Sequence, residues 1–240
     1  MLSQVSICRC VCAGSKRLSP LFHNFLTDVM HFSVPCKFWS VAHTGAGKDD
    51  HENKSLLFEI PKMIRDIRPR QVCIEQVDGL VVLTKHRSYF KTLIRRIHSI
   101  GYTVAWKVFN LAEYGLPAQR RRLIIFASAP GEPLPRFPTP THGPNTLQPF
   151  VTVRQALQDI AKSDKHNQHS QAIPPNQAFR ADPDKPLHAT LICGRRMTIK
   201  RGQKSLTLCQ PNGREFTIRH LARFQTFPGL CFKRLRYRDC

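Results

Sequence analysis

Cys36 follows Pro35 at the end of an apolar run, "DVMHFSV", and Glu75 lies in a second apolar run, "QVCIEQV". A thiol and a carboxylate make a nucleophile and an acid. A thiolate adds to an electron-poor carbon, and a carboxyl group within reach can hold or protonate another edge of the same substrate. About forty residues separate the two, so they serve one reaction only if the chain brings both run ends together. The plain alternative is structural: a free cysteine is often a small buried hydrophobe, and a glutamate at a strand end can cap a helix.

The surrounding pattern says how they would be positioned. Residues 28–34 and 71–77 read as short buried strands. "HTGAGKDD" after the cysteine reads as a loop. In "HENKSLLFEIPKMIRDI", Leu56, Leu57, Ile60, Ile64 and Ile67 recur at helical spacing, with Asp49 or Asp50 near the start. Pro61 predicts a kink or a late start to that helix. "SYFKTLIRRIHSI" places Phe90, Leu93, Ile94 and Ile97 on one face, and Gly101 is a good stop. "TVAWKVF" and "RLIIFAS" read as third and fourth strands. Strands alternating with helices predict βαβ units, an α/β fold and a largely parallel sheet. Ligands of such sheets bind beyond the carboxyl ends of the strands. Cys36 and Glu75 both fall there, on strands that a right-handed crossover makes neighbours, so they are expected to face one crevice.

Beyond residue 130 the character changes. Residues 130–149 hold seven prolines and read as an extended crossing. "TVRQALQDI" predicts a short helix, residues 162–185 a polar mobile loop, and "TIRHLARFQTFPG" a helix closed by Pro228-Gly229. Residues 1–27 show no periodicity and are set apart as a poorly defined segment. The expected organisation is that segment, a catalytic α/β domain over 28–161, a polar loop with a small basic region over 162–218, and a C-terminal helix and tail over 219–240.

The chain has 240 residues, with 37 Lys+Arg against 16 Asp+Glu, a net charge of +21. Charge of that size favours a polyanionic partner, and nucleic acid fits through phosphate contacts. Arg195, Arg196, Lys200 and Arg201 cluster as candidate phosphate contacts, with a solvated face as the alternative. The nine cysteines form no C-x-x-C pair, so no metal site is expected, and their irregular spacing suggests reduced thiols inside a cell. No apolar run is long enough for a membrane span, and no signal peptide is expected.

Four ordered stretches carry a resemblance: "DVMHFSVPCKFWSVAHTGAGKDDHEN", "RPRQVCIEQVDGL", "GYTVAWKVFNLAEYGLPAQRRRLIIFASAPGEPLPRFPTPTHG" and "PNGREFTIRHLARFQTFPG". Together they resemble the cytosine-5 DNA methyltransferases, in particular the fungal branch linked to silencing of repeated DNA. The resemblance implies a partial, Rossmann-like methyltransferase domain with a small mixed target-recognition region. It implies that Cys36 attacks C6 of a flipped cytosine and that Glu75, in Glu75-Gln76-Val77, holds or protonates N3. Residues 118–122 match the family's Gln-x-Arg-x-Arg, so Arg120 and Arg122 would contact the flipped base and the DNA backbone. Arg219 through Gln225 would pack the small domain. S-adenosylmethionine is the implied cofactor, with no cofactor-binding residue assigned, double-stranded DNA the partner, and the nucleus the location.

The sequence also departs from the family. Val34-Pro35-Cys36-Lys37 stands for Pro-Pro-Cys-Gln, Ala118 for the leading Gln, and His220 for the Glu after Arg219. Lys37 is a candidate for lowering the thiol pKa or for obstructing the pocket. No D-x-F-x-G-x-G cofactor loop and no closing Gly-Asn-Ala-Val are found, so the resemblance implies a truncated member. The second reading is a catalytically inactive relative that binds DNA or a partner chain.

Overall fold

A computed structural model describes residues 10–11, 27–36, 38–40, 50–160, 171–188, 198–201 and 204–227. The chain divides into two compact units, Met1–Phe109 with Arg121–Pro138, and Asn110–Arg120 with Thr139–Cys240.

The first unit is built on a five-stranded sheet. Its strands are β1 (Cys10–Val11), β2 (Val29–Ser33), β3 (Gln71–Val77), β4 (Thr103–Asn110) and β5 (Arg121–Ser128), in the order β1-β2-β3-β5-β4. The strands β2 and β3 pair in parallel, from Val29 opposite Gln71 to Ser33 opposite Glu75. Helix α1 (Asp50–Ile67) supplies the crossover between them. The α/β class holds, but the sheet is mixed: β5 lies antiparallel to β3, with Val77 opposite Arg122. The physical reason is the connection. Only residues 111–120 join β4 to β5, too few for the crossover that parallel strands require.

The helix α1 starts at Asp50 and continues through Pro61, so there is no late start. The burial of Leu57, Ile60 and Ile64, each at most 1% exposed, outweighs the hydrogen bond that the proline removes. Within the segment set apart at the N-terminus, Cys10 and Val11 pair in parallel with His31 and Phe32. Between β3 and β4 come α2 (Gly79–Val82) and α3 (Arg87–His98). One face of α3 buries Phe90, Leu93 and Ile97 against a core that also holds Phe32, Trp39, Ile74, Leu123 and Ile125.

The second unit contains α4 (Val153–Leu157), a three-stranded sheet in the order β6-β8-β7, and α5 (Ile218–Arg223). Strand β6 is Ala178–Arg180, β7 is Thr198–Arg201 and β8 is Lys204–Cys209. Part of the polar stretch read as a mobile loop is therefore a strand, because Ala178, Phe179 and Arg180 pair with Thr207, Leu208 and Cys209. Helix α5 ends at Arg223, before Pro228-Gly229, which lie outside the described residues.

His220 has a defined job at the start of α5. The Thr217 hydroxyl accepts from the His220 N–H at 3.3 Å, and His220 Nδ1 accepts from the Thr217 N–H at 3.1 Å. This is a capping box with imidazole where Glu or Gln usually stands. Burial pushes the His220 imidazolium down from 6.5 to about 4. Between those values the unfolded chain takes up a proton that the folded one refuses. Stability should therefore fall as pH drops from 6.5 to about 4, by roughly 3 kcal/mol at most. His220→Gln keeps the capping box without titrating. We expect urea unfolding at pH 7 and pH 4.5 to show a smaller loss for this variant than for wild type.

Candidate active site

The site begins with the register of β2 and β3. Because Ser33 is paired with Glu75, both strands reach their carboxyl ends together. The Ser33 hydroxyl donates to Glu75 Oε2 at 2.8 Å. On the other side Arg122 Nε donates to Glu75 Oε1 at 2.7 Å. Arg122 reaches it diagonally across the β3–β5 pair, since its direct partner is Val77. Both oxygens of Glu75 are thus fixed from flanking strands. The Arg122 side chain is 10% exposed and that of Glu75 31%, so the carboxylate keeps an open side while its anchor is enclosed. Arg122 Nη1 also donates to the Arg121 carbonyl at 2.8 Å.

Cys36 lies three residues beyond Ser33 and is an exposed free thiol. The Trp39 N–H donates to its carbonyl at 3.1 Å, closing a tight turn. Trp39 is fully buried beneath that turn. Gln76 ties the turn to the sheet. Its Nε2 donates to the Val34 carbonyl at 3.3 Å, and its Oε1 accepts from the Val77 N–H at 2.9 Å. Gln76 is 1% exposed, so removing it strands buried polar groups. Gln76→Leu is expected to cost about 2 kcal/mol in chemical denaturation and to loosen the approach to Cys36.

Of the residues singled out in the sequence, Cys36, Glu75 and Arg122 all belong to the first unit, with Cys36 and Glu75 at one end of the β2–β3 pair. Arg120 belongs to the second unit, where its carbonyl accepts from the Leu111 N–H at 2.9 Å. Lys200 and Arg201 are on β7, opposite Ser205 and Lys204 in the backbone register. Arg195, Arg196, Lys37 and His43 lie outside the described residues. Sequence reasoning missed Ser33, Gln76 and Arg121, whose Nε lies 3.1 Å from Asp78 Oδ2. The signal for Gln76 was present: a polar residue in a strand read as buried must find a partner.

The arrangement offers an accessible thiol three residues past the end of β2 and, at the same end of the β2–β3 pair, a carboxylate held in one orientation. Among the described residues, positive-φ glycines occur at 101, 115, 131, 143 and 213. The described residues include no group of three His, Cys, Asp or Glu residues placed to hold a metal ion, and no helix long and apolar enough to cross a membrane.

Solved structures share this fold. A prophage-encoded E. coli protein assigned as a DNA modification methyltransferase superposes with a TM-score of 0.56 over 85% of this chain and 70% of that one, at 14% identity. The S. pombe Dnmt2 methyltransferase gives 0.51 over 84% and 66%, at 13% identity. The sequence profile of the C-5 cytosine-specific DNA methylases matches residues 15–185. The chain belongs to that family. It is 35% identical over 135 residues to the type II methyltransferase M.XorII of Xanthomonas oryzae pv. oryzae, which covers 55% of this chain and 30% of the relative. It is 28% identical over 228 residues to M.NgoFVII of Neisseria gonorrhoeae, covering 84% and 60%. The chain thus spans between 30% and 60% of the length of these two relatives.

Proposed function

We propose that this chain acts as a DNA (cytosine-5)-methyltransferase, placing a methyl group from S-adenosylmethionine on C5 of a flipped cytosine through a covalent adduct at Cys36. The observation that carries the reading is the fixed carboxylate of Glu75, bonded by Ser33 and Arg122 at the strand end that leads to exposed Cys36. Cys36 adds to C6 of the pyrimidine, which breaks the ring conjugation and makes C5 nucleophilic. Glu75 holds the N3 edge, and Arg122 keeps that carboxylate from rotating away. A base inside a duplex is out of reach, so the cytosine is flipped out first. Arg120, Arg195, Arg196, Lys200 and Arg201 are proposed to contact DNA, drawing on the +21 net charge. S-adenosylmethionine supplies the methyl group in this reading.

The match of Glu75-Gln76-Val77 and of the stretches around it supports placement in the fungal repeat-silencing branch and a nuclear location. The second reading is a relative that binds DNA without methylating it. The two part on trapping. The protein is incubated with S-adenosylmethionine and duplex DNA containing 5-fluorocytosine, whose C5 substituent cannot leave as a proton. A covalent adduct that disappears in Cys36→Ser is the expected result. Retarded migration of the DNA with no adduct would replace it with the binding reading.

A further inference from the structure

Away from Cys36 and Glu75, one surface of the first unit has a charge that the chemistry above does not use. Residues 79–112 contain Lys85, Arg87, Lys91, Arg95, Arg96 and Lys107 and not one Asp or Glu. On α3, Arg87, Lys91 and Arg95 recur every fourth residue, about 6 Å apart along the axis, and His98 continues the line. All four are exposed. Among the described residues none of their side chains has a carboxylate partner. Like charges stacked at this spacing repel one another, so the stripe is costly without a polyanion beside it.

The same stripe borders an aromatic cleft. Phe90, Lys91, Ile94, Arg95 and His98 from α3 and Trp106 from β4 line a space of about 370 Å³. Trp106 is 45% exposed, which is unusual for so large an apolar ring, and it stands edge-to-face with buried Phe90 at 5.0 Å. Phe90 fixes the indole while leaving part of it open. A row of cations beside a fixed, open aromatic ring is the arrangement used to hold single strands, with phosphates on the cations and a base on the ring. A duplex would meet the cations, but its stacked bases leave the indole unused. The Asp and Glu side chains of an acidic peptide would meet the cations but bring no flat ring to match the indole.

We propose that the α3–β4 face is a binding site for single-stranded nucleic acid, separate from the cytosine-handling site. None of its residues holds Cys36 or Glu75.

The probe is a labelled oligothymidylate of twelve residues, which contains no cytosine. Binding to the full chain is followed by anisotropy across a salt series and by quenching of indole fluorescence. Trp39 is fully buried, so Trp106 is the reporter. We expect Lys91→Gln with Arg95→Gln to weaken binding at least ten-fold and to lower the salt slope by about 1.4. Trp106→Ala should weaken it about ten-fold and abolish quenching, whereas Trp106→Phe, which keeps a ring on Phe90, should retain most of the affinity. Adduct formation at Cys36 should not change in the Lys91→Gln, Arg95→Gln protein. Unaltered affinity and slope in that double variant would overturn the proposal. So would a duplex of equal length bound with the same dependence on Lys91, Arg95 and Trp106, or polyglutamate competing as well as the oligonucleotide.

Discussion

Trp39→Ala should lower the unfolding free energy by about 3–5 kcal/mol, a large share of the stability of an ordinary domain. The side chain is fully buried, and its ring lies 4.7 Å from Phe38 and 5.3 Å from both His86 and Tyr89. Truncation leaves a hole that these neighbours can fill only in part. The same change releases the turn in which the Trp39 N–H holds the Cys36 carbonyl, so adduct yield at Cys36 should fall even where the protein remains folded. Trp39→Phe tests the argument from the other side. The indole Nε1 is buried without a hydrogen-bond partner among the described residues, and phenylalanine removes that polar group while filling most of the space. Its expected cost is about 1 kcal/mol. Urea denaturation of the three proteins decides the point. Equal loss from both variants would mean that the ring packing is not what stabilises the turn.

Glu75→Gln should slow methyl transfer and adduct formation by about 10²–10⁴-fold, the usual contribution of a positioned acid or base. Its effect on folding should be small. Glutamine can turn its carbonyl toward Arg122 and its amide toward Ser33, whose hydroxyl can rotate to accept. Both contacts that Glu75 makes, at 2.7 and 2.8 Å, then survive in altered form. A variant that melts near the wild-type temperature yet traps no DNA is the expected result. A variant that traps DNA at the wild-type rate would show that the carboxylate does not meet the pyrimidine.

Strands β2 to β5 and the helices α1 and α3 were legible because their apolar residues repeat at the period of each element. Glu75 and Cys36 could be placed at strand ends for the same reason. The direction of β5 is not written in its composition, because an antiparallel central strand is as apolar as a parallel one. The information lay in the ten-residue span 111–120 and in the rule on crossover length. The role of Arg122 needed the register of Val77 opposite Arg122, and register cannot be read from a run of residues with no partner in view. In sequence His220 was only a departure from the family's Glu. The folded chain answers it with imidazole Nδ1 in the capping box, a substitution visible only once Thr217 is known to begin the helix. Strand β1, two residues long, has too few residues for any pattern.

The position of β5 between β3 and β4 has a consequence for biosynthesis. A nascent chain that has emerged only as far as β4 has made β3 without its permanent neighbour on that side, and Ile74 and Val72 wait beside an open ladder. Residues 121–128 must leave the ribosome before the middle of the sheet can close. During that interval the half-finished edge is the place where a chaperone would be needed and where a second nascent chain could pair by mistake.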